Sequence, residues 1–224
     1  MEWPGNYSFN FNPIIRNADL LLEGAWLTIE LSALGMLFGL LIGTLGATIK
    51  LWGPKPAGYV VTGYVEFIRN TPFLVQLFVV YFGLPSIGIR MSAETAAIIG
   101  LSIYMGAYAT EIIRSGIQAV PKTQIEAALC LGMNPLQVFR HVLILPALKV
   151  IYPALTSQFV LLLLGSSLVS LISAEELFHV AAFLDSRTFL PFEIYLAVSA
   201  IYLIMTLGFR VLFWLLGRMI FVAH

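Results

Sequence analysis

Glu66, Arg69, Asn70, Thr71 and Gln76 stand close together around Pro72, in the otherwise largely apolar segment VEFIRNTPFLVQLFVVYFGLP. A carboxylate and a guanidinium three residues apart can form a structural ion pair on one helix face. The same groups can instead line a path for a small polar solute, a chemistry of recognition rather than of bond making. Pro72 has no amide to donate to the Ile68 carbonyl, so a helix through this segment is expected to kink or unwind there. Polar groups and irregular backbone persist at membrane depth only where they pair or face a wet cavity. Two further polar stripes have helical spacing: Tyr104, Tyr108, Glu111 and Ser115, and then Ser166, Ser170 and Ser173. Each reads either as interhelical hydrogen bonding or as a polar conduit.

None of this amounts to catalysis. No GxxxxGK[ST] loop is present to hold ATP phosphates, and no HExxH or CxxC pattern appears. No nucleophile is paired recognisably with a base. Glu66, Glu111 and His179 lie too far apart along the helices to suggest a convergent catalytic set, and His179 has no second ligand at metal-binding spacing. The single cysteine, Cys130, excludes an internal disulfide and reads as a packing residue.

The segment TQIEAALCLGMNPLQVFRHVLILP, from Thr123 to Pro146, is polar by comparison with its surroundings and carries two sets of helix-end signals. Thr123 and Glu126 have capping-box spacing, a short helix runs through Glu126, Ala127, Ala128 and Leu131, and Gly132 ends it. Asn134 caps a second helix with Pro135 at its first position and Gln137 completing the box, and Pro146 closes it. The two alanines beside Glu126 make a flat surface suited to lying in another protein's groove. Farther on, Ser173 and Glu176 have the same box spacing and open a short amphipathic helix, AEELFHVAAFL.

The elements that must position these residues are membrane spans. Of 224 residues, 59% are hydrophobic and only 11% charged, and the mean hydropathy is +0.92, far from soluble globular usage. Formal net charge is zero, and Arg140 is the one firmly charged basic residue on the second hairpin helix, so no nucleic-acid partner is expected. Apolar runs of about 20 residues, long enough to cross a bilayer, occupy 25–49, 59–83, 92–113, 150–173 and 192–217. The start, MEWPGNYSFN, lacks the basic region of a cleaved leader, so the first run is expected to insert and stay. Five crossings place Lys50, Lys55, Arg114, Lys122, Arg140, Lys149, Arg210 and Arg218 on one side, against Arg16, Arg90 and Arg187 on the other. That bias puts residues 1–24 outside, and the hairpin loop 116–147 and the C-terminus in the cytoplasm. Trp26 and Trp52 bracket the first span as an aromatic belt would. Gly35, Gly39, Gly43 and Ala47 form a small-residue face that lets another helix approach, whether of this chain or of another subunit. With no internal repeat, the chain reads as one all-α membrane domain of about five helices.

EAALCLG followed by ILP resembles the EAA loop of ABC-importer permeases. The flanking AYATEIIRSGIQAVPKTQIEAA and FIRNTPFLVQLFVVYFGLP are similar to the polar amino acid subgroup, which serves histidine, glutamine, arginine and related substrates. The likeness extends from LLEGAWLTIELS near the start to PFEIYLAVSAIYL near the end. It implies a non-catalytic permease subunit of the bacterial inner membrane that pairs with an identical or paralogous subunit. It also implies an extracytoplasmic amino acid binding protein and a separate ATPase dimer, which holds ATP and Mg while the permease binds no cofactor. By the resemblance Glu126, Ala127, Ala128 and Gly132, with Asn134 beside them, are coupling residues, and Arg69, Thr71 and Pro72 belong to the kinked pathway helix. One departure stands out: Gly132 and Pro146 are fourteen residues apart, one more than the family pattern. The extra residue is expected to rotate the second helix by about 100° or to lengthen the turn at Asn134 and Pro135. A stand-alone secondary transporter or channel is the alternative; it accounts for the polar spans but not for the capped hairpin, and such folds often show inverted repeats.

Overall fold

The computed structural model describes residues 9–221, so residues 1–8 of the expected outer segment lie outside the described residues. The chain there is helical: α1 Asn12–Arg16, α2 Ala18–Trp52, α3 Lys55–Arg69, α4 Phe73–Ser86, α5 Ala93–Gln118, α6 Lys122–Cys130, α7 Pro135–Ile172, α8 Leu177–Thr188 and α9 Pro191–Phe221. Four of these, α2, α5, α7 and α9, are long and apolar enough to cross a membrane, and the pair α3–α4, bent by 109°, makes a fifth if it forms one span. Helices apolar on every side fit a lipid solvent. Leu37, Leu41 and Leu45 on α2, and Leu203, Ile204 and Leu207 on α9, are all exposed large hydrophobics.

The small-residue face of α2 packs on α5 within the same chain. A Cβ added at Gly35 would lie 2.7 Å from the Leu101 Cβ, one at Gly39 2.5 Å from that of Met105, and one at Gly43 2.4 Å from that of Ala109. Here the two backbones touch. The central core grows around this contact from Leu31, Leu77, Leu101, Met105 and Leu162. At one end of the bundle Lys50 of α2 pairs with Glu111 of α5, which also binds Arg114 at 2.6 Å.

Several sequence expectations give way to tertiary context. Pro146 does not close the hairpin's second helix, which runs on as α7 into the fourth span. A π turn over Phe139–Leu143 lies just before Pro146, whose missing amide and bulky ring widen the preceding turn. A π turn takes in one more residue than an α turn of the same helix. The serine stripe also dissolves, because residues Ser166–Ile172 form a 3-10 helix. At three residues per turn, Ser166 and Ser170 point in different directions. Ser166 Oγ donates to the Leu163 carbonyl at 2.7 Å and Ser170 Oγ to that of Ser167 at 2.7 Å.

Ser173 adopts a left-handed conformation (φ 67°) that ends this 3-10 helix, so it cannot cap the next. Glu176 itself is the N-cap of α8, accepting from the His179 amide at 3.0 Å. The carboxylate is fully buried and also accepts from Thr28 Oγ1 at 3.2 Å and Tyr202 Oη at 2.8 Å. Burial raises the Glu176 carboxyl above its ordinary range, an effect countered by these donors. His179 is half-exposed, and among the described residues no group of three His, Cys, Asp or Glu side chains is placed to hold a metal.

Candidate functional site

The polar cluster at Pro72 divides into residues that hold a helix break and residues that face its neighbours. Helix α3 ends at Arg69 and α4 begins at Phe73, with Pro72 extended between them (φ −64°, ψ 135°). The Glu66 carbonyl still accepts from the Asn70 amide at 3.1 Å, but the carbonyls of Phe67 and Ile68 find no amide four residues along, because the chain turns away. Side chains replace them. Asn70 Nδ2 donates to the Glu66 carbonyl at 2.8 Å, Thr71 Oγ1 to that of Phe67 at 2.8 Å, and Gln76 Nε2 to that of Ile68 at 2.8 Å. Gln76 also reaches the Thr71 carbonyl at 3.0 Å, so one amide spans the break.

Of the two readings of Glu66 and Arg69, the ion pair is not formed. Glu66 Oε2 instead accepts from Asn70 at 3.1 Å, while the Arg69 guanidinium lies 5.4 Å from the Tyr108 ring centroid. From Tyr108 an aromatic wall continues to Tyr104 at 4.7 Å and on to Phe73 at 5.1 Å. Two amides adjoin this region with unpartnered atoms. Gln158 of α7, beside Tyr104, is 7% exposed with no partner for Nε2, and Gln76 is 8% exposed with none for Oε1. A guanidinium, two phenols and two buried amides can bind a carboxylate and hydrogen-bond a polar side chain. Glu111 is not part of this wall: Lys50 and Arg114 occupy its carboxylate. Ser115, the last residue of that stripe, is exposed and donates to the Ile112 carbonyl at 3.1 Å.

Gln158 and Phe73 were not singled out by the sequence. A glutamine in the middle of an apolar run was the available signal for the first. Replacing Gln76 by leucine leaves the Ile68 and Thr71 carbonyls without their side-chain donor, a loss of about 1–3 kcal/mol. Gln76→Leu is therefore expected to lower the thermal unfolding midpoint in detergent. An unchanged midpoint would mean that something else holds the break.

The hairpin is built to be rigid and exposed. Its first helix starts at Lys122 with Pro121 as N-cap, so Thr123 lies inside the first turn and caps nothing. At the other end Gly132 is left-handed (φ 80°). The Met133 amide donates to the Ala128 carbonyl at 3.2 Å and the Gly132 amide to that of Leu129 at 3.0 Å, the paired bonds of a Schellman end. Asn134 and Gln137 then exchange bonds of 2.9 Å in a complete capping box.

The hairpin's backbone needs are thus met internally, and its side chains face outward. Glu126, Ala127, Gly132 and Asn134 are exposed. Ala128 is not; at 5% exposure it packs inward, so only one of the two alanines contributes to a surface. Cys130 is exposed rather than packed. Leu131 at 84% and Leu136 at 74% exposure form an apolar tip that the sequence reading did not foresee. Exposed apolar patches of this kind mark interaction sites. Behind the tip, Phe139 in the π turn meets Trp52 at the end of α2 edge-on, 6.4 Å between centroids.

The chain is 34% identical over 198 residues to the probable glutamine ABC transporter permease protein GlnM of Bacillus subtilis, covering 88% of this chain and 92% of that protein. It is also 34% identical to the glutamine transport system permease protein GlnP of Escherichia coli, over 89% and 92% of the two chains. A solved structure described as an amino acid ABC transporter with histidines superposes with a TM-score of 0.88 at 39% identity, over 95% and 99% of the chains. The MetNI methionine ABC transporter in an inward-facing conformation shares the fold, with a TM-score of 0.76 at 20% identity over 93% and 98%. Residues 35–220 match the family described as the binding-protein-dependent transport system inner membrane component, and the chain belongs to that family, as a non-catalytic permease subunit of an ABC importer.

Proposed function

We propose that this chain forms the translocation path for a polar amino acid and is driven through its hairpin by a separate ATPase dimer. It works in the bacterial inner membrane, hairpin inward, beside a second permease subunit, identical or paralogous, and receives substrate from an extracytoplasmic binding protein. The observation that carries this reading is the hairpin. It is self-capped and exposed, and its tip of Leu131 and Leu136, flanked by Glu126 and Ala127, gains nothing in water unless a partner covers it. Closure of the ATPase around ATP moves the hairpin as a rigid lever, and Phe139 against Trp52 passes the motion to α2 and, through Lys50 and Glu111, to α5.

Substrate contact falls to the wall at the break. Arg69 meets the carboxylate, Tyr104 and Tyr108 the body of the solute, and the buried amide of Gln158 a polar side chain. Asn70, Thr71 and Gln76 shape the site rather than touch the solute.

The test is reconstitution with cross-linking. In a Cys130→Ser background, Ala127→Cys is expected to cross-link to the ATPase, and proteoliposomes holding the complex are expected to take up glutamine or a related amino acid only with internal ATP. Uptake by this chain alone, or a hairpin that captures no ATPase, would overturn the reading in favour of a stand-alone transporter.

A further inference from the structure

The facing walls of α7 and α9 enclose a groove of about 740 Å3, lined by Tyr152, Leu161, Leu164, Arg210, Trp214 and Arg218 among others. Both walls are helices long and apolar enough to cross a membrane, so the groove lies within the depth of the bilayer. Its volume is in the range of ligand sites. Arg210 and Arg218 are exposed, and the ion pairs among the described residues use Lys50 and Arg114 instead. The Arg218 guanidinium lies 4.8 Å from the Trp214 ring centroid, a pairing suited to headgroup level. Arg210, eight residues earlier, lies about 12 Å deeper along the helix. A guanidinium at that depth is costly unless an anion meets it or it bends toward the interface.

The groove is also a fixed feature. Tyr152 donates its hydroxyl to the Phe213 carbonyl, joining the two walls. A Cβ at Gly217 would come within 2.9 Å of the Tyr152 ring, so the helices touch there.

We infer that this groove binds an anionic phospholipid, its phosphate held between Arg210 and Arg218 and an acyl chain lying along Leu161 and Leu164. A second copy of this chain is a poorer occupant. A two-fold contact through these helices would bring the same two helices to the groove, and α7 contains no acidic residue. The one acidic residue of α9, Glu193, is at the opposite end of that helix. Such a contact would set arginine near arginine with no carboxylate to offset them. The lipid supplies both the anion and the apolar chain. The inference rests on the groove alone and stands whether or not the hairpin couples to an ATPase.

The experiment purifies the intact complex in mild detergent, equilibrates it with equal phosphatidylglycerol and phosphatidylcholine, and counts bound lipids by native mass spectrometry. Wild type is expected to retain phosphatidylglycerol on the order of tenfold over phosphatidylcholine, whose choline cation offsets the phosphate charge that the two arginines meet. In Arg210→Gln/Arg218→Gln the preference is expected to fall to near parity, while Arg140→Gln, on the hairpin, keeps it. Leu161→Trp, which fills the apolar wall and leaves both charges, is expected to reduce total retention. No preference in wild type, or one that survives the double substitution, overturns the assignment. A disulfide forming between two copies at Trp214→Cys overturns it too, because the groove would then be filled by a subunit.

Discussion

Leucine at Gly43 is expected to prevent the bundle from assembling. A Cβ at this position would lie 2.4 Å from the Ala109 Cβ and 3.0 Å from both the Ala109 carbonyl carbon and the Thr110 amide nitrogen. Two of those three neighbours are backbone, so rotating a side chain cannot relieve the clash. Helices α2 and α5 would have to separate along the face formed by Gly35, Gly39, Gly43 and Ala47. That would open the core at Leu101 and Met105 and pull Lys50 from Glu111. Overpacking alone costs about 1–3 kcal/mol, and backbone displacement raises it; a loss of about 3 kcal/mol or more would take a large share of a typical domain's stability. The measurement is folded yield and thermal midpoint in detergent. Gly63→Leu is the control, because nothing lies within 4 Å of a Cβ there. Ala109→Gly is expected to restore part of the loss in Gly43→Leu, as coupled neighbours do. Equal stability of the two leucine variants would show that α2 and α5 do not meet at this face.

What the sequence showed plainly was local backbone chemistry. The break at Pro72 follows from one missing amide, and the turn at Gly132 and Asn134 from a residue free of a Cβ followed by a capping side chain. The small-residue face and the apolar runs were equally plain, since each is a property of neighbouring positions. The losses came where a distant residue decided. Lys50, sixty-one positions away, binds Glu111 and removes it from the pathway stripe. Tyr202 and Thr28 surround Glu176 and bury a carboxylate that the local pattern reads as the partner of Ser173 in a capping box. The serines follow a 3-10 helix rather than an α-helix, so a stripe assumed at 3.6 residues per turn does not exist. At the polar break the sequence shows the cluster, but not its division of labour. Only coordinates show that Asn70, Thr71 and Gln76 cap three successive carbonyls while Arg69 turns to Tyr108.

Valine at Gly132 is expected to abolish ATP-driven uptake while leaving the membrane bundle folded. Gly132 is left-handed at φ 80°, where a β-branched side chain is strained. The Schellman bonds from Met133 and Gly132 depend on that conformation, and the capping box at Asn134 starts two residues later. Valine would unwind the first helix end and displace Leu131 and Leu136 together, so the tip would lose its shape for a partner. The bundle would not be affected, because nothing lies within 4 Å of a Cβ at this position. Uptake by the reconstituted complex is expected to fall at least about tenfold, matching the loss of about 1.4 kcal/mol or more of productive docking, with the thermal midpoint unchanged. Gly132→Asn separates two causes, since asparagine tolerates left-handed backbone. If asparagine supports uptake, the requirement is conformational. If it fails as valine does, the partner approaches too closely for any side chain. Glu126→Lys reverses an exposed charge on the same surface without touching the turn and is expected to lower uptake as strongly. Full uptake in both Gly132→Val and Glu126→Lys would mean that the hairpin does not transmit the force of ATP hydrolysis.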